Sequence, residues 1–162
     1  MTTSISPVCK KRLQVQGYDK YTDNELNDFK YGIRFAYAMC ITVVATGLYF
    51  QSVYVLAFAA LVAFAAVFPP YHPFDYLYNY GVRYLLKKPV LPHRTSQGRF
   101  ACGIATVWLG ATLYFLVINN MIAFYLFGCS LIAVGALVAF LDICIPSMIY
   151  NAFFKKRTIL SD

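Results

Sequence analysis

The sequence predicts an all-α integral membrane protein: a four-helix bundle made of two helical hairpins, with an amphipathic interfacial helix between them. Three observations predict it. Only 13% of the 162 residues are charged while 60% are apolar, whereas a soluble domain carries about a quarter charged residues. No Asp, Glu, Lys or Arg occurs between Arg34 and Asp75, nor between Arg99 and Asp142. Each charge-free stretch is about twice the roughly 20 residues needed to cross a bilayer as a helix. Each also has one polar break, Gln51-Ser52 in the first and Asn119-Asn120 in the second. An ordinary soluble enzyme and a disordered chain are both excluded by this composition. The length suggests one domain over 1–162.

The elements follow in order. Residues 1–22 read as an irregular cytoplasmic N-terminus, with Pro7 and Gly17 as breakers. They are polar and then basic, without the apolar run and cleavage site of a signal peptide. Thr22-Asp23-Asn24-Glu25 fits a capping box, and Leu26, Phe29, Ile33 and Tyr37 follow at helical spacing. A helix is expected from about Asp23, lying at the interface and entering the membrane near Tyr31. Residues 31–50 and 53–68 make the first two spans, the second ending at Pro69-Pro70, which cannot continue a helix. Residues 100–118 and 121–145 make the other two, the last ending at Pro146. In the intervening loop, 71–98, Asp75, Asn79, Arg83 and Lys87 form a polar stripe. Phe74, Leu77, Tyr78, Gly81, Tyr84 and Leu85 form the opposite face. Such a helix either lies in the headgroup layer or packs under the bundle as its floor. Residues 146–162 form a cytoplasmic tail.

The positive-inside rule orients the spans. Lys10, Lys11, Arg12, Lys20, Lys30 and Arg34 precede the first hairpin, and Arg83, Lys87, Lys88, Arg94 and Arg99 lie between the hairpins. Lys155, Lys156 and Arg157 follow the second hairpin, and the two turns carry no basic residue. Both termini and the loop are therefore expected in the cytoplasm. The net charge of +7 points to anionic headgroups and not to nucleic acid, because the basic residues flank membrane segments. Arg83, Lys87, Lys88, Arg94, Arg99, Lys155, Lys156 and Arg157 are the candidate contacts to headgroups or a partner. Topological anchoring alone also accounts for them.

Few groups remain for chemistry. Cys9, Cys40, Cys102, Cys129 and Cys144 are an odd, scattered set that suggests no disulfide framework. Cys102 and Cys144 fall at the same end of two hairpin-linked helices, so these thiols are candidates for redox exchange. Asp142 disfavours a thiolate at Cys144, and inert packing is the alternative. Asp142 is the only acidic residue inside a span, a position that is functional by default. It sits about one turn from the cytoplasmic end, as Arg34 does, so a structural Arg34–Asp142 ion pair explains both. His72 and His93 lie in the loop beside prolines and have no metal-ligand spacing. No cofactor is expected, and the phosphate-loop, metalloprotease and nucleophile-elbow motifs are absent. Ala59/Ala63 and Ala101/Ala105 have the small-residue spacing that lets helices approach closely in lipid.

Pro70-Tyr71-His72-Pro73-Phe74, Leu91-Pro92-His93-Arg94 and Arg99-Phe100-Ala101 resemble motifs of the bacterial membrane domain-of-unknown-function family 4395. Members show a Pro-x-x-Pro after the second span and open the third with Arg-Phe-Ala. They often end the fourth with Cys-x-x-Cys before an Ile-Tyr pair. Here that segment is Cys144-Ile145-Pro146-Ser147-Met148-Ile149-Tyr150, with Ser147 in place of the second cysteine. The family's early Cys-Pro corresponds to Ser6-Pro7, with Cys9 nearby. The resemblance implies a small inner-membrane protein and no established reaction. Its cysteines hint at thiol or sulfur chemistry, a hint that Ser147 weakens. The function expected is a non-enzymatic accessory or structural component that binds membrane lipid, a membrane-protein partner or a second copy of itself. A thiol-redox or sulfur-handling protein is the rival, and a transporter component the third reading.

Overall fold

The computed structural model describes residues 5–155, and within them the chain is all-α. Helix α1 covers Pro7–Val15 and α2 Asp23–Tyr49, followed by α3 over Val53–Ala65. A bent helix then runs from α4 (Pro73–Leu77) through a π-helical turn (Tyr78–Val82) into α5 (Arg83–Leu86). After an extended segment come α6 (Ser96–Val117), α7 (Met121–Leu141) and α8 (Ile145–Tyr150). Another π-helical turn, Asn151–Lys155, ends the described chain. The long helices form a closed ring in which α2 packs on α3, α3 on α6, α6 on α7 and α7 back on α2.

Three helices, α2, α6 and α7, are long and apolar enough to cross a membrane. The second expected span, 53–68, is shorter in the structure. Helix α3 has 13 residues, about 20 Å at 1.5 Å rise each, against a hydrocarbon core of about 30 Å. It joins the core through Leu56, Ala59 and Ala63, which are buried beside Val44, Leu48, Leu109 and Phe124. Between α2 and α7, Gly128 sits where an added Cβ would strike the Leu48 side chain.

Both hairpins turn by the same device. Gln51 and Asn119 adopt left-handed backbone conformations, with φ of 48° and 57°. The amides of Ser52 and Asn120 then bond back to the carbonyls of Gly47 and Phe115, the pattern of a Schellman cap. The second polar residue of each pair caps the next helix: Ser52 Oγ accepts from the Val55 amide and Asn120 Oδ1 from the Ala123 amide. The capping box at the start of α2 is also present, with Thr22 N–H donating to Glu25 Oε2 at 2.8 Å.

Three further expectations need correction. Residues 1–22 are not irregular throughout, because Pro7 opens α1 at its first turn, where a missing N–H costs nothing. Ile5, Leu13 and Tyr18 are buried against Leu26, Phe29, Ile33, Tyr78 and Leu91. The fourth long helix ends at Leu141 and not at Ile145, since Asp142 takes φ 58° and the chain restarts as α8. The loop helix, finally, buries the first half of its polar stripe together with Tyr78 of the other face, while Lys87 stays exposed. Asp75 and Asn79 are buried, whereas Tyr76, Leu77, Tyr80, Tyr84 and Leu85 are exposed. The extended segment 89–95 explains the burial of Asp75 and Asn79, because it folds back and supplies partners. Arg94 bonds Asp75, and the Leu91 amide donates to Asn79 Oδ1 at 3.0 Å.

Candidate functional site: a thiol-lined cavity at the basic end

The polar groups of the fold gather at the end of the ring that carries α1, the loop and α8. Two clusters stand out. The first centres on Asp142, which is 3% exposed. Arg34 Nε donates to Asp142 Oδ1 at 2.8 Å, and Arg34 Nη2 bonds the other oxygen. The Cys9 thiol donates to Asp142 Oδ2 at 3.1 Å, and Gln16 Nε2 donates to the Asp142 carbonyl at 2.9 Å. Arg12 Nη1 reaches the Leu141 carbonyl at 2.7 Å. Around this hub, Thr95 Oγ1 donates to the Gln16 carbonyl and Asn151 Nδ2 to the Val15 carbonyl. The expected Arg34–Asp142 pair is thus in contact, and it belongs to a latch that holds α1. Burial, with the hydrogen bond to Asp142, pushes the Cys9 thiol up to about 11.

The second cluster edges a cavity of about 250 Å³ among the helices of the ring, partly open to the outside beside Ile145 and Ile149. Tyr37, Cys40, His72, Arg94, Cys102 and Cys144 line one part of it. Val44, Ala63, Ala105, Leu109 and Val138 line the rest, with Trp108 and Ser130. Trp108 Nε1 donates to Ser130 Oγ at 2.9 Å, tying α6 to α7. Cys102 and Cys144 do share this space, and both are buried free thiols. Sequence reasoning missed Cys40 and Arg94 as members, because each reaches the cavity from a separate element.

The hydrogen bonds of this cluster restrict its chemistry. His72 precedes α4 and caps it: His72 Nδ1 accepts from the Phe74 amide at 3.1 Å, and Asp75 Oδ2 accepts from the His72 amide at 2.8 Å. With Nδ1 accepting, the proton of a neutral imidazole sits on Nε2. Burial, helped by the charge of Arg94, pushes the His72 pKa down to about 3. Cys40 Sγ lies 3.6 Å from Nε2 and therefore meets a donor. His72 is not placed to take a proton from it. Burial also raises the Cys144 thiol above its ordinary value, against the thiolate that exchange requires.

The other candidate residues are dispersed. Arg94 is 6% exposed and paired with Asp75 at 3.0 Å, so it turns into the fold and does not meet headgroups. Arg83 bonds the Asn79 carbonyl and the Tyr84 hydroxyl, Lys88 pairs with Asp28 at 2.6 Å, and Lys87 is exposed. Arg99 is half-buried, with its Nε buried and unpartnered. It heads an outer groove formed with Val67, Phe100, Gly103, Val107 and Trp108. His93 is exposed, its ring 4.9 Å from that of Tyr71. Lys155 closes the described chain, while Lys156 and Arg157 lie outside the described residues. Among the described residues no three His, Cys, Asp or Glu side chains are arranged to hold a metal ion.

The short motifs converge on this same end. Pro73 opens α4, Arg99-Phe100-Ala101 lies in the first turns of α6, and Cys144 and Ser147 flank the start of α8. The Pro70 carbonyl accepts the Arg94 amide at 2.6 Å, so two segments of the resemblance bond to each other. No curated protein and no solved structure matches the chain. A family model described as Domain of unknown function (DUF4395) matches residues 30–155, and the chain belongs to that family.

Proposed function

We propose that the protein is a four-span membrane protein, with α3 as its second span, that acts as a non-enzymatic accessory or structural component binding membrane lipid. The termini and the loop 71–98 lie on the cytoplasmic side of the inner membrane in this reading. Contacts of α1 with Thr95 and Asn151 support it, since they hold the N-terminal, central and C-terminal segments at one end. An even number of crossings follows, and α3 must then return the chain. The ring's outer surface supports the membrane setting: Tyr54, Leu61, Val107, Ile122, Leu126 and Phe140 are all exposed.

The observation that carries lipid binding is Arg99. Its buried Nε lacks an acceptor, although leaving a charged donor unpaired is costly, and the groove beside it is apolar. A phospholipid supplies both a phosphate for the guanidinium and an acyl chain for Gly103, Val107 and Trp108. Native mass spectrometry of the chain purified in mild detergent tests this. Retained phospholipid, lost in Arg99→Ala, is the expected result. A clean monomer without lipid or partner overturns it.

Thiol-redox work is the second reading, favoured by one observation, the shared cavity of Cys102 and Cys144. Thiol labelling under oxidising and reducing conditions decides it. The reading stands only where the two cysteines change state together. Burial of both thiols and the donor orientation of His72 support the non-enzymatic reading.

A further inference from the structure

The cavity inside the helix ring borders the outer groove at Arg99, the two sharing Ile104 and Trp108 in their walls, and its own size and polarity point to a ligand. At about 250 Å³ it exceeds the roughly 150 Å³ of a dry cavity that takes benzene. It suits a substituted ring. Most of the wall is apolar, with Val44, Ala63, Leu109 and Val138 among its residues. His72 and Arg94 stand at the basic end.

That polar end offers donors without a net charge. The His72 ring is neutral with its proton on Nε2, and the partner of that N–H is Cys40 Sγ at 3.6 Å, a weak acceptor. The charge of Arg94 is cancelled by Asp75, which takes Arg94 Nε and Nη2 at 3.3 and 3.0 Å. The rest of the five guanidinium N–H groups stay with a side chain that lines the cavity. An anion entering here gives up its hydration and gains no net countercharge. A neutral carbonyl oxygen accepts from both residues without that penalty.

We propose that the cavity binds an uncharged, membrane-soluble cyclic carbonyl compound of the quinone class. Its ring lies among Val44, Ala63 and Leu109, and one carbonyl oxygen accepts from His72 Nε2 and Arg94.

Trp108 makes the test direct, since it is the one tryptophan of the chain and lines the cavity. The full chain in detergent is titrated with duroquinone, a quinone that quenches indole fluorescence and whose four ring methyls block addition of thiols. Saturable quenching is expected. A tenfold excess of durene, the same ring without carbonyls, leaves the quench in place, as does decanoate. His72→Asn keeps an acceptor for the Phe74 amide, and its shorter side chain withdraws the Nε2–H from the cavity, so binding weakens about tenfold. Ala63→Leu fills the cavity and weakens binding at least as much. Arg99→Ala alters lipid retention and leaves duroquinone affinity unchanged, which separates a failure here from a failure of the lipid reading. Unsaturable quenching, relief by durene or decanoate, or unchanged affinity in both cavity variants overturns the proposal. The competition uses the unaltered chain and decides the matter even where a variant fails to fold.

Discussion

Asp142 closes α7 with its backbone and holds α1 and α2 with its side chain, so one residue carries a turn and a latch together. Asp tolerates the left-handed conformation better than most residues, and Asn shares that tolerance. Asp142→Asn therefore isolates the charge. The side chain of Arg34 is 33% exposed, so solvent screens part of the loss, and about 1–2 kcal/mol of destabilisation is expected. A lowered thermal midpoint in detergent checks it. The same hub predicts the reactivity of Cys9. Alkylation proceeds through the thiolate, and a thiol held up to about 11 in place of 9.0 is about a hundredfold less ionised at pH 8. The iodoacetamide rate at Cys9 should climb with pH towards 11, and Asp142→Asn should shift that rise to lower pH. His72 gives the acid limb of stability. Its folded pKa of about 3 lies below the ordinary 6.5, so folding favours the neutral ring. That contribution is complete above pH 6.5 and is lost as pH falls from 6.5 towards 3. By pH 4.5 the loss is about 2–3 kcal/mol, and a melting series in which His72→Asn flattens the decline checks it.

Among the elements, α1 shows why part of the fold was legible in sequence and part was not. The hairpins could be read because charge stops at Arg34 and resumes at Asp75, and because Gln51-Ser52 and Asn119-Asn120 interrupt apolar runs. Those signals are local. The membrane penalises charge at each position separately, so position alone reports it. Helix α1 left no such mark, since Pro7 and Gly17 read equally as loop residues or as a helix start and end. What orders it lies far along the chain, at Thr95, Asp142 and Asn151. The loop helix is similar: a spacing of four places Asp75 and Asn79 on one face, but only Arg94 and Leu91, folding back, make that face the inner one. The cavity was half legible, in Cys102 and Cys144, and its donors were not. Leu13 tests the latch at the level of the element. It is wholly buried between α1 and α2, and Leu13→Ala should cost about 2–5 kcal/mol of docking. Trypsin cleavage at Lys10–Arg12 should then speed up while cleavage within α6 and α7 stays slow, and gel analysis of the fragments measures both.

For the whole molecule, α3 is the weak member of the ring and the topology depends on it. A helix of about 20 Å leaves roughly 10 Å of hydrocarbon thickness to be met by the residues after it or by local bilayer thinning. Were it to fall short of crossing, the chain would have three spans and its ends would face opposite sides. Yet α1, Thr95 and Asn151 are hydrogen-bonded at one end of the ring. Separating them by a bilayer would break the latch and expose Leu13, Gln16 and Tyr18. The charge bias argues the same way, since the basic residues flank that end and both turns are free of them. Labelling with a membrane-impermeant maleimide in intact cells separates the alternatives. Phe50 and Ile122 are exposed beside the two turns, and Lys87 is exposed at the basic end. Phe50→Cys and Ile122→Cys should label from outside, above the background of the five native thiols. Lys87→Cys should label only after the membrane is permeabilised. Labelling of Phe50→Cys and Lys87→Cys from the same side would place α3 within one leaflet, and the four-span reading would give way to three.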